Sequence, residues 1–218
     1  MKTIDLHTHS TASDGTYSPS ELIAYAIKQG LSAVAITDHD TMRGIPEALA
    51  YISDHHLNIE LVPGIEVSTY SKDGDLHILG LFPKQKGDPL AYTLNNLEHD
   101  LEAGQHSSEE AIQSIHEYGG LSVLAHPQEY GLSLARLERV LASLATVGLD
   151  GIEAIYTTHQ ADDISSYTQL AKKYGLLITG GSDFHGAHKP GVDLGRGFGD
   201  MRIPYELLEA MKERRAIA

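Results

Sequence analysis

Short apolar runs alternate along this chain with longer segments whose apolar residues recur every three or four positions. Seven runs read as strands: Thr3–Leu6, Ala33–Thr37, Ile59–Pro63, His77–Phe82, Leu121–Ala125, Gly151–Tyr156 and Leu176–Thr179. Several of the intervening segments carry helix punctuation. Ser18-Pro19-Ser20-Glu21 forms a capping box with proline at the first helical position. Leu22, Ile23, Ala26 and Ile27 make an apolar stripe that Gly30 ends. Ser107-Ser108-Glu109-Glu110 opens a second helix of this kind, with Ala111, Ile112 and Ile115 facing inward and Gly119-Gly120 as the stop. Asp162–Tyr174, closed by Gly175, and Pro204–Arg215 read likewise. The polar stretch Lys84–Gln105 reads as a loop plus a short helix from Pro89 to about Leu101. Repeated strand-then-helix units predict an α/β fold with a largely parallel sheet, either open or closed into a barrel.

The placement of polar donors chooses between the two. Nearly every strand is followed at once by His, Asp or Glu: His7 and His9, His39, Glu66, His126, His159, Asp183 and His185. His77 is the exception, at the start of its strand. Donors at the carboxyl ends of almost all strands converge only if those ends form a ring, which is barrel geometry. An open sheet would gather them at one switch point. A barrel of about seven strands is expected, as one domain over residues 1–218.

Two pieces at opposite ends of the chain look like halves of one metal site. In His7-Thr8-His9 and Asp183-Phe184-His185, two ligand-type side chains stand two residues apart behind a strand, and residues i and i+2 of a strand share a face. His7 and His9 would project from the face opposite Ile4, Leu6 and Thr8. Imidazole nitrogen and carboxylate oxygen suit divalent Zn, Mn or Fe, and the chain has no cysteine to supply thiolate. Asp14, His39, Glu66, His77 and His126 extend the set. Each alone has a plain structural reading, such as Asp14-Gly15 as a turn. So many ionisable groups at adjoining strand ends would repel and desolvate one another without a cation.

Composition narrows the partners. The 218 residues include 41% hydrophobic and 21% charged, no Trp and 3 Phe, so aliphatic side chains and 11 Tyr carry most of the packing. No apolar stretch approaches the roughly 20 residues of a membrane span. Met1-Lys2-Thr3 runs into the first strand without a signal-peptide core, and zero cysteines fit a reducing, cytoplasmic setting. A formal charge of −14 argues against a broad basic surface for duplex nucleic acid. Bound cations would offset part of that charge and would help hold an anionic substrate.

Seven motifs in order carry a family likeness: D-L-H-T-H-S, S-D-G-T, I-T-D-H-D, P-G-I-E, L-H-I-L-G, L-A-H-P and G-S-D-F-H-G. Together they resemble the polymerase and histidinol phosphatase (PHP) superfamily of metal-dependent phosphoesterases, from Ile4 to about Gly195. The resemblance implies a distorted seven-stranded (β/α)7 barrel with three divalent ions of Zn, Mn or Fe. Carried over motif by motif, it implies that His7, His9, Glu66 and Asp183 hold one metal. Glu66 would bridge to a second metal bound by His77 and His126, and Asp14, His39 and His185 would hold the third. Relatives usually insert a helical domain between the L-H-I-L-G and A-H-P strands that brings phosphate-gripping basic residues. Here Pro83–Ser107 is all there is.

The expected activity is hydrolysis of a small phosphorylated substrate, a nucleotide or another phosphomonoester. The attacking hydroxide would be held by metals that lower the pKa of water to about 7. His159 is the candidate outer-sphere acid or phosphate contact, and Arg43, Lys189 and Arg196 are the candidate substrate-binding residues. His55, His56, His99, His106 and His116 read as solvated, with His188 the likeliest exception among the remaining histidines. Three alternatives stand beside this: amide or ring hydrolysis of the amidohydrolase kind, exonuclease action on short oligonucleotide ends, and a non-catalytic metal-stabilised regulatory module. Amidohydrolases often bridge their metals with a strand-end lysine, and none stands at a suitable position here. The sequence says nothing of oligomeric state.

Overall fold

The computed structural model describes residues 2–83, 96–97, 100–101 and 106–217. Its strands are β1 (Thr3–Asp5), β2 (Ala33–Ile36), β3 (Glu60–Ser71), β4 (Gly74–Leu81), β5 (His106–Ser107), β6 (Leu121–Leu124), β7 (Gly151–Tyr156), β8 (Leu177–Gly181) and β9 (Ile203–Pro204). The helices are α1 (Pro19–Lys28), α2 (Ile45–Asp54), α3 (Ser108–Glu117), α4 (Leu134–Thr146), α5 (Ala161–Tyr174) and α6 (Glu206–Ile217). The loop and helix expected over Lys84–Gln105 fall mostly outside the described residues. Within that stretch Asn96, Leu97 and Asp100 are helical, and Leu97 and Leu101 are fully buried.

The strands lie in the order β8-β7-β6-β4-β3-β2-β1, with β9 beyond β1 and β5 pairing beside β3. Hydrogen bonds then join β8 back to β1: the Leu6 amide donates to the Gly180 carbonyl (3.1 Å), Asp183 to His7 (2.8 Å) and His9 to Phe184 (2.9 Å). Seven strands therefore form a nearly closed barrel, as expected. All pairs in it are parallel except those of β4, which runs against both β3 and β6. That reversal explains the exceptional place of His77. At the mouth where the other strands end, β4 begins.

β3 is much longer than the five-residue run anticipated. It continues past Pro63 to Ser71 and returns through a turn as β4, pairing Glu66 with Leu79 and Ser68 with His77. Two apolar layers hold the barrel together. The outer one packs helix residues such as Leu22, Ile23, Ile112, Ile115, Leu141 and Leu170 against the strands. The inner one joins Ile4, Leu6, Ala35, Val62, Leu79 and Val123 to Leu208 and Met211 of α6. α6 lies across the end opposite the mouth. Lys212 reaches Glu60 at the start of β3, Arg214 the Gly175 carbonyl before β8, and Arg215 the Gly119 carbonyl before β6.

The capping boxes read from the sequence are made. Ser18 and Glu21 bond reciprocally at the start of α1, and Ser107 and Glu110 at the start of α3. Two helices were not anticipated. α2 follows Gly44 with no side-chain cap but with Pro46 in its first turn, and α4 follows Ser133, whose side chain makes no capping bond. Among the described residues, no helix is long and apolar enough to cross a membrane.

Candidate metal centre

The regular part of β1 stops at Asp5. The next four residues stay extended because Thr8 bridges Phe184 and the Thr37 amide donates to the Thr8 carbonyl (2.9 Å). This carries His7 and His9, both fully buried, side by side to the barrel mouth. β8 must come very close here. A Cβ on Gly181 would lie 2.1 Å from Cβ of His7. Glycine is needed because no side chain fits between these strands.

Glu66 is the centre of the arrangement. Its Oε1 lies 2.9 Å from Nδ1 of His77 and 2.9 Å from Nε2 of His126. Its Oε2 lies 3.1 Å from Nε2 of His7, 3.0 Å from Nε2 of His9 and 3.4 Å from Nδ1 of His39. Asp183 directs Oδ1 at the same pair, 3.5 Å from His7 and 3.2 Å from His9. Asp14 stands at the outer side, 3.2 Å from Nε2 of His185 and 3.8 Å from Nε2 of His39. All nine expected donors thus meet at one mouth. His7, His9, Glu66 and Asp183 present ligand atoms within reach of one cation, and so do His9, Asp14, His39 and His185. His39, Glu66 and His77 form a further group. Asp183 and His126 adopt positive φ, 54° and 22°, backbone strain of the kind that concentrates at functional sites.

The site also has polar atoms that the protein alone does not satisfy. Among the described residues, both ring nitrogens of His9, Nδ1 of His39 and Nδ1 of His126 are buried without a hydrogen bond. Nδ1 of His77 and Nε2 of His126 face each other at 3.2 Å, each against the same carboxylate oxygen. Buried nitrogens left in this way are costly, and cations placed among them remove the cost. The donor set therefore fits divalent metal. Without metal, protons take that role. Burial disfavours a charged His7, but Glu66, Glu153 and Asp183 outweigh it and hold the imidazole well above its usual range. For His9 burial is likewise outweighed, by Asp183 and Glu66, and its pKa is pushed up to about 9. Burial opposes ionisation of Glu66 and Asp183, yet the surrounding histidines hold both carboxyls well below the ordinary range.

Around these donors lie groups the sequence reading did not single out. Glu153 on β7 is buried, with both oxygens 3.2 Å from Nδ1 of His7, and its Oε2 accepts the His126 amide (2.8 Å). A charged residue in the apolar run Gly151–Tyr156 was the signal available. Asp38 is buried and accepts from the Ser10 amide and hydroxyl, both at 2.7 Å, which fixes the loop after His9. The Tyr156 hydroxyl lies 2.9 Å from Oδ2 of Asp183 and also meets Oε1 of Glu129.

A cavity of about 330 Å³ opens over the centre, lined by Asp14, His39, Glu66, His77, His126, Glu129, Asp183, His185, His188 and Lys189. Of the three basic candidates only Lys189 reaches it. Arg43 instead places Nε on the Thr41 hydroxyl (3.0 Å), and Arg196 is exposed in the turn from Asp193 to Gly197, outside the cavity lining. His159 is not among the lining residues either, which corrects its expected place facing the site. It is buried beneath β7, with Nδ1 2.9 Å from the Ala154 carbonyl and its ring against Tyr156 and Tyr167. His188, the exception anticipated among the remaining histidines, stands at the cavity with Nδ1 2.7 Å from the Asp14 carbonyl.

Residues 5–181 match the PHP domain. The chain belongs to the PHP domain family. Among curated PHP-like relatives, the 5'-3' exoribonuclease Rnm of Escherichia coli (strain K12) is 29% identical over 258 residues, covering 88% of this chain and 88% of that protein. The 3',5'-nucleoside bisphosphate phosphatase of Chromobacterium violaceum is 26% identical over 262 residues, covering 89% of this chain and 91% of that protein. A solved structure from Bifidobacterium adolescentis, described as a metal-dependent phosphoesterase, shares the fold. Its TM-score is 0.76 at 24% identity, over 98% of this chain and 96% of that one. This PHP chain is a phosphoesterase, like these relatives. The two sequence alignments take in less than nine-tenths of its 218 residues yet run over 258 and 262 positions. Both relatives therefore carry several tens of residues that this chain lacks within the aligned span.

Proposed function

We propose that this chain hydrolyses a terminal phosphomonoester on a small, nucleotide-sized substrate, with three divalent cations at the barrel mouth. His7, His9, Glu66 and Asp183 would hold one ion, Glu66, His77 and His126 the second, and Asp14, His39 and His185 the third. The observation that carries this reading is Glu66, whose two oxygens each meet a different set of imidazoles. One carboxylate so placed can serve two cations, and such paired ions supply Lewis acidity and a water nucleophile at neutral pH.

The chain's own groups do the rest. Glu153 fixes the His7 ring, so that Nε2 faces Glu66 and Asp183. Asp183 is held from its far oxygen by Tyr156 and Lys189. The cavity, at about 330 Å³, lies at the small end of the range for small-molecule sites and has room for one phosphoryl group with a compact remainder. A second reading is supported by the exoribonuclease relative: stepwise cleavage at the end of a short oligonucleotide.

The test begins with elemental analysis of the purified protein. It continues with phosphate release from nucleoside 3',5'-bisphosphates, nucleoside monophosphates and 4-nitrophenyl phosphate, beside 5'-phosphorylated ribodinucleotides. The proposal expects monoesters to be hydrolysed faster than dinucleotides, and Glu66→Ala to reduce both activity and metal content. Turnover of dinucleotides alone would select the second reading, and full activity in the Glu66 variant would refute the site.

A further inference from the structure

A fourth group of ligand-type side chains lies at the same mouth: His126, Glu129 and Asp183 present atoms close enough to share one cation. This one already has its positive charge. Nζ of Lys189 lies 2.6 Å from Oδ2 of Asp183, 2.8 Å from the Tyr156 hydroxyl and 3.9 Å from Oε1 of Glu129. Among the described ion pairs, the other three groups meet a lysine or arginine only where Lys189 itself touches the far oxygen of the shared Asp183; the rest of their pairs are formed by histidines. Lysine thus stands at the fourth position where the other three call for an ion.

Asp183 makes this arrangement directional. Its Oδ1 faces His7, His9 and His185, while its Oδ2 faces Lys189 and Tyr156. The ammonium is therefore one carboxylate away from the proposed metal ligands, on the cavity wall. Among the described lining residues it is the only lysine or arginine side chain. Its side chain is 29% exposed, so an anion in the cavity can reach it while solvent only partly screens it. A lysine ammonium is a compact charge with three rotatable donors, able to turn one of them from Asp183 to a new acceptor.

We propose that Lys189 determines charge selectivity at this site, favouring a doubly charged phosphomonoester over a singly charged phosphodiester. This rests on the phosphomonoesterase reading above and deepens it. A terminal phosphoryl group at neutral pH carries close to two negative charges, whereas an internal diester carries one. A phosphoryl group seated over His7, His9 and Glu66 presents its surplus oxygen to the wall that Asp183 and Lys189 form. The second charge of the monoester meets the ammonium there. A diester places an esterified oxygen in that position and gains little from it. Glu129 and Tyr156 act as positioning residues that keep the ammonium against Asp183 when no phosphate is present.

The test compares the metal-loaded full-length protein with Lys189→Met and Lys189→Arg, after metal content and circular dichroism show that each variant is folded and loaded. Values of kcat/KM are measured for 4-nitrophenyl phosphate and bis(4-nitrophenyl) phosphate, and inorganic phosphate binding is measured by calorimetry. The expected result for Lys189→Met is a loss of about 10- to 100-fold on the monoester, the worth of one charge-assisted hydrogen bond, with the diester changed less than about 3-fold. Phosphate binding weakens in parallel, and Lys189→Arg recovers part of both. Equal losses on the two esters would mean that Lys189 acts only through Asp183, and would overturn the proposal, as would no loss on either. Should the unsubstituted protein hydrolyse neither of these esters nor the nucleoside mono- and bisphosphates, the phosphomonoesterase reading fails. The phosphate titration then decides for Lys189 by itself: about 10-fold weaker binding in Lys189→Met upholds its role as the anion contact, and unchanged binding refutes it.

Discussion

Glu153 sets both carboxylate oxygens 3.2 Å from Nδ1 of His7 and receives the backbone amide of His126 on one of them. It therefore ties together two residues that belong to different proposed metal positions. With its Nδ1 facing a carboxylate, His7 is fixed in the tautomer that leaves Nε2 free for a metal. Glu153→Gln preserves shape but halves the acceptors and removes the charge. The expected outcome is a folded protein whose metal affinity is lower by about 10- to 100-fold, read by competition with a chromophoric chelator. Unchanged affinity would show that His7 is oriented by packing alone.

The metal-free protein should lose stability as pH rises from about 6.5 through about 9. Burial opposes a charged His9, but Asp183 and Glu66 raise its folded pKa above the unfolded one. Its contribution is thus complete below the unfolded value and vanishes above the folded one. Metal binding must displace that proton. Affinity should therefore climb with pH up to about 9, and calorimetry in buffers of different ionisation heat should reveal proton release near neutrality. Thermal scans of chelated and loaded protein at several pH values would check the first part, and a flat profile for the chelated form would contradict it.

His159→Ala should be a stability variant rather than a catalytic one. The ring is buried against Tyr156 and Tyr167 and bonds the Ala154 carbonyl, away from the cavity lining. A loss of about 1–3 kcal/mol in unfolding free energy is expected from the missing packing and hydrogen bond. The pH–rate profile should keep its shape. A displaced profile would return His159 to the chemistry.

Gly181→Ala should be severe for a substitution of one methyl group. The added Cβ would meet Cβ of His7 at 2.1 Å and Oε1 of Glu153 at 2.8 Å, neither of which can move far. β8 would be pushed from β1. Both midpoint temperature and metal stoichiometry are expected to fall, whereas alanine at Gly175, at the exposed end of α5, should leave stoichiometry intact. Circular dichroism melts with elemental analysis would separate the two.

The nine expected donors were legible because each falls in a short motif whose order is informative, although Asp14 lies in a turn and Glu66 in the middle of β3. What surrounds them was less so. Glu153 falls inside a run that reads simply as strand, and nothing local tells that its side chain meets His7 and the His126 amide inside the barrel. His77 looked misplaced until the direction of β4 was known, because strand direction depends on pairing rather than on composition. α2 and α4 carry signals of their own, Pro46 in the first turn of α2 and Ser133 ahead of α4, where Leu137, Val140, Leu141 and Leu144 have helical spacing and are buried. The position of His159 after β7 points to the mouth. The turn instead folds the ring beneath that strand, where burial lowers its pKa.

The backbone bonds from His7, His9 and Asp183 that join β8 to β1 come from the very residues offered for metal, so closing the ring brings the proposed ligands together. Chelation should accordingly act like unlatching a hoop. Amide protons of Leu6, His9 and Asp183 would exchange with solvent early, while those of β2 and β3 stay protected.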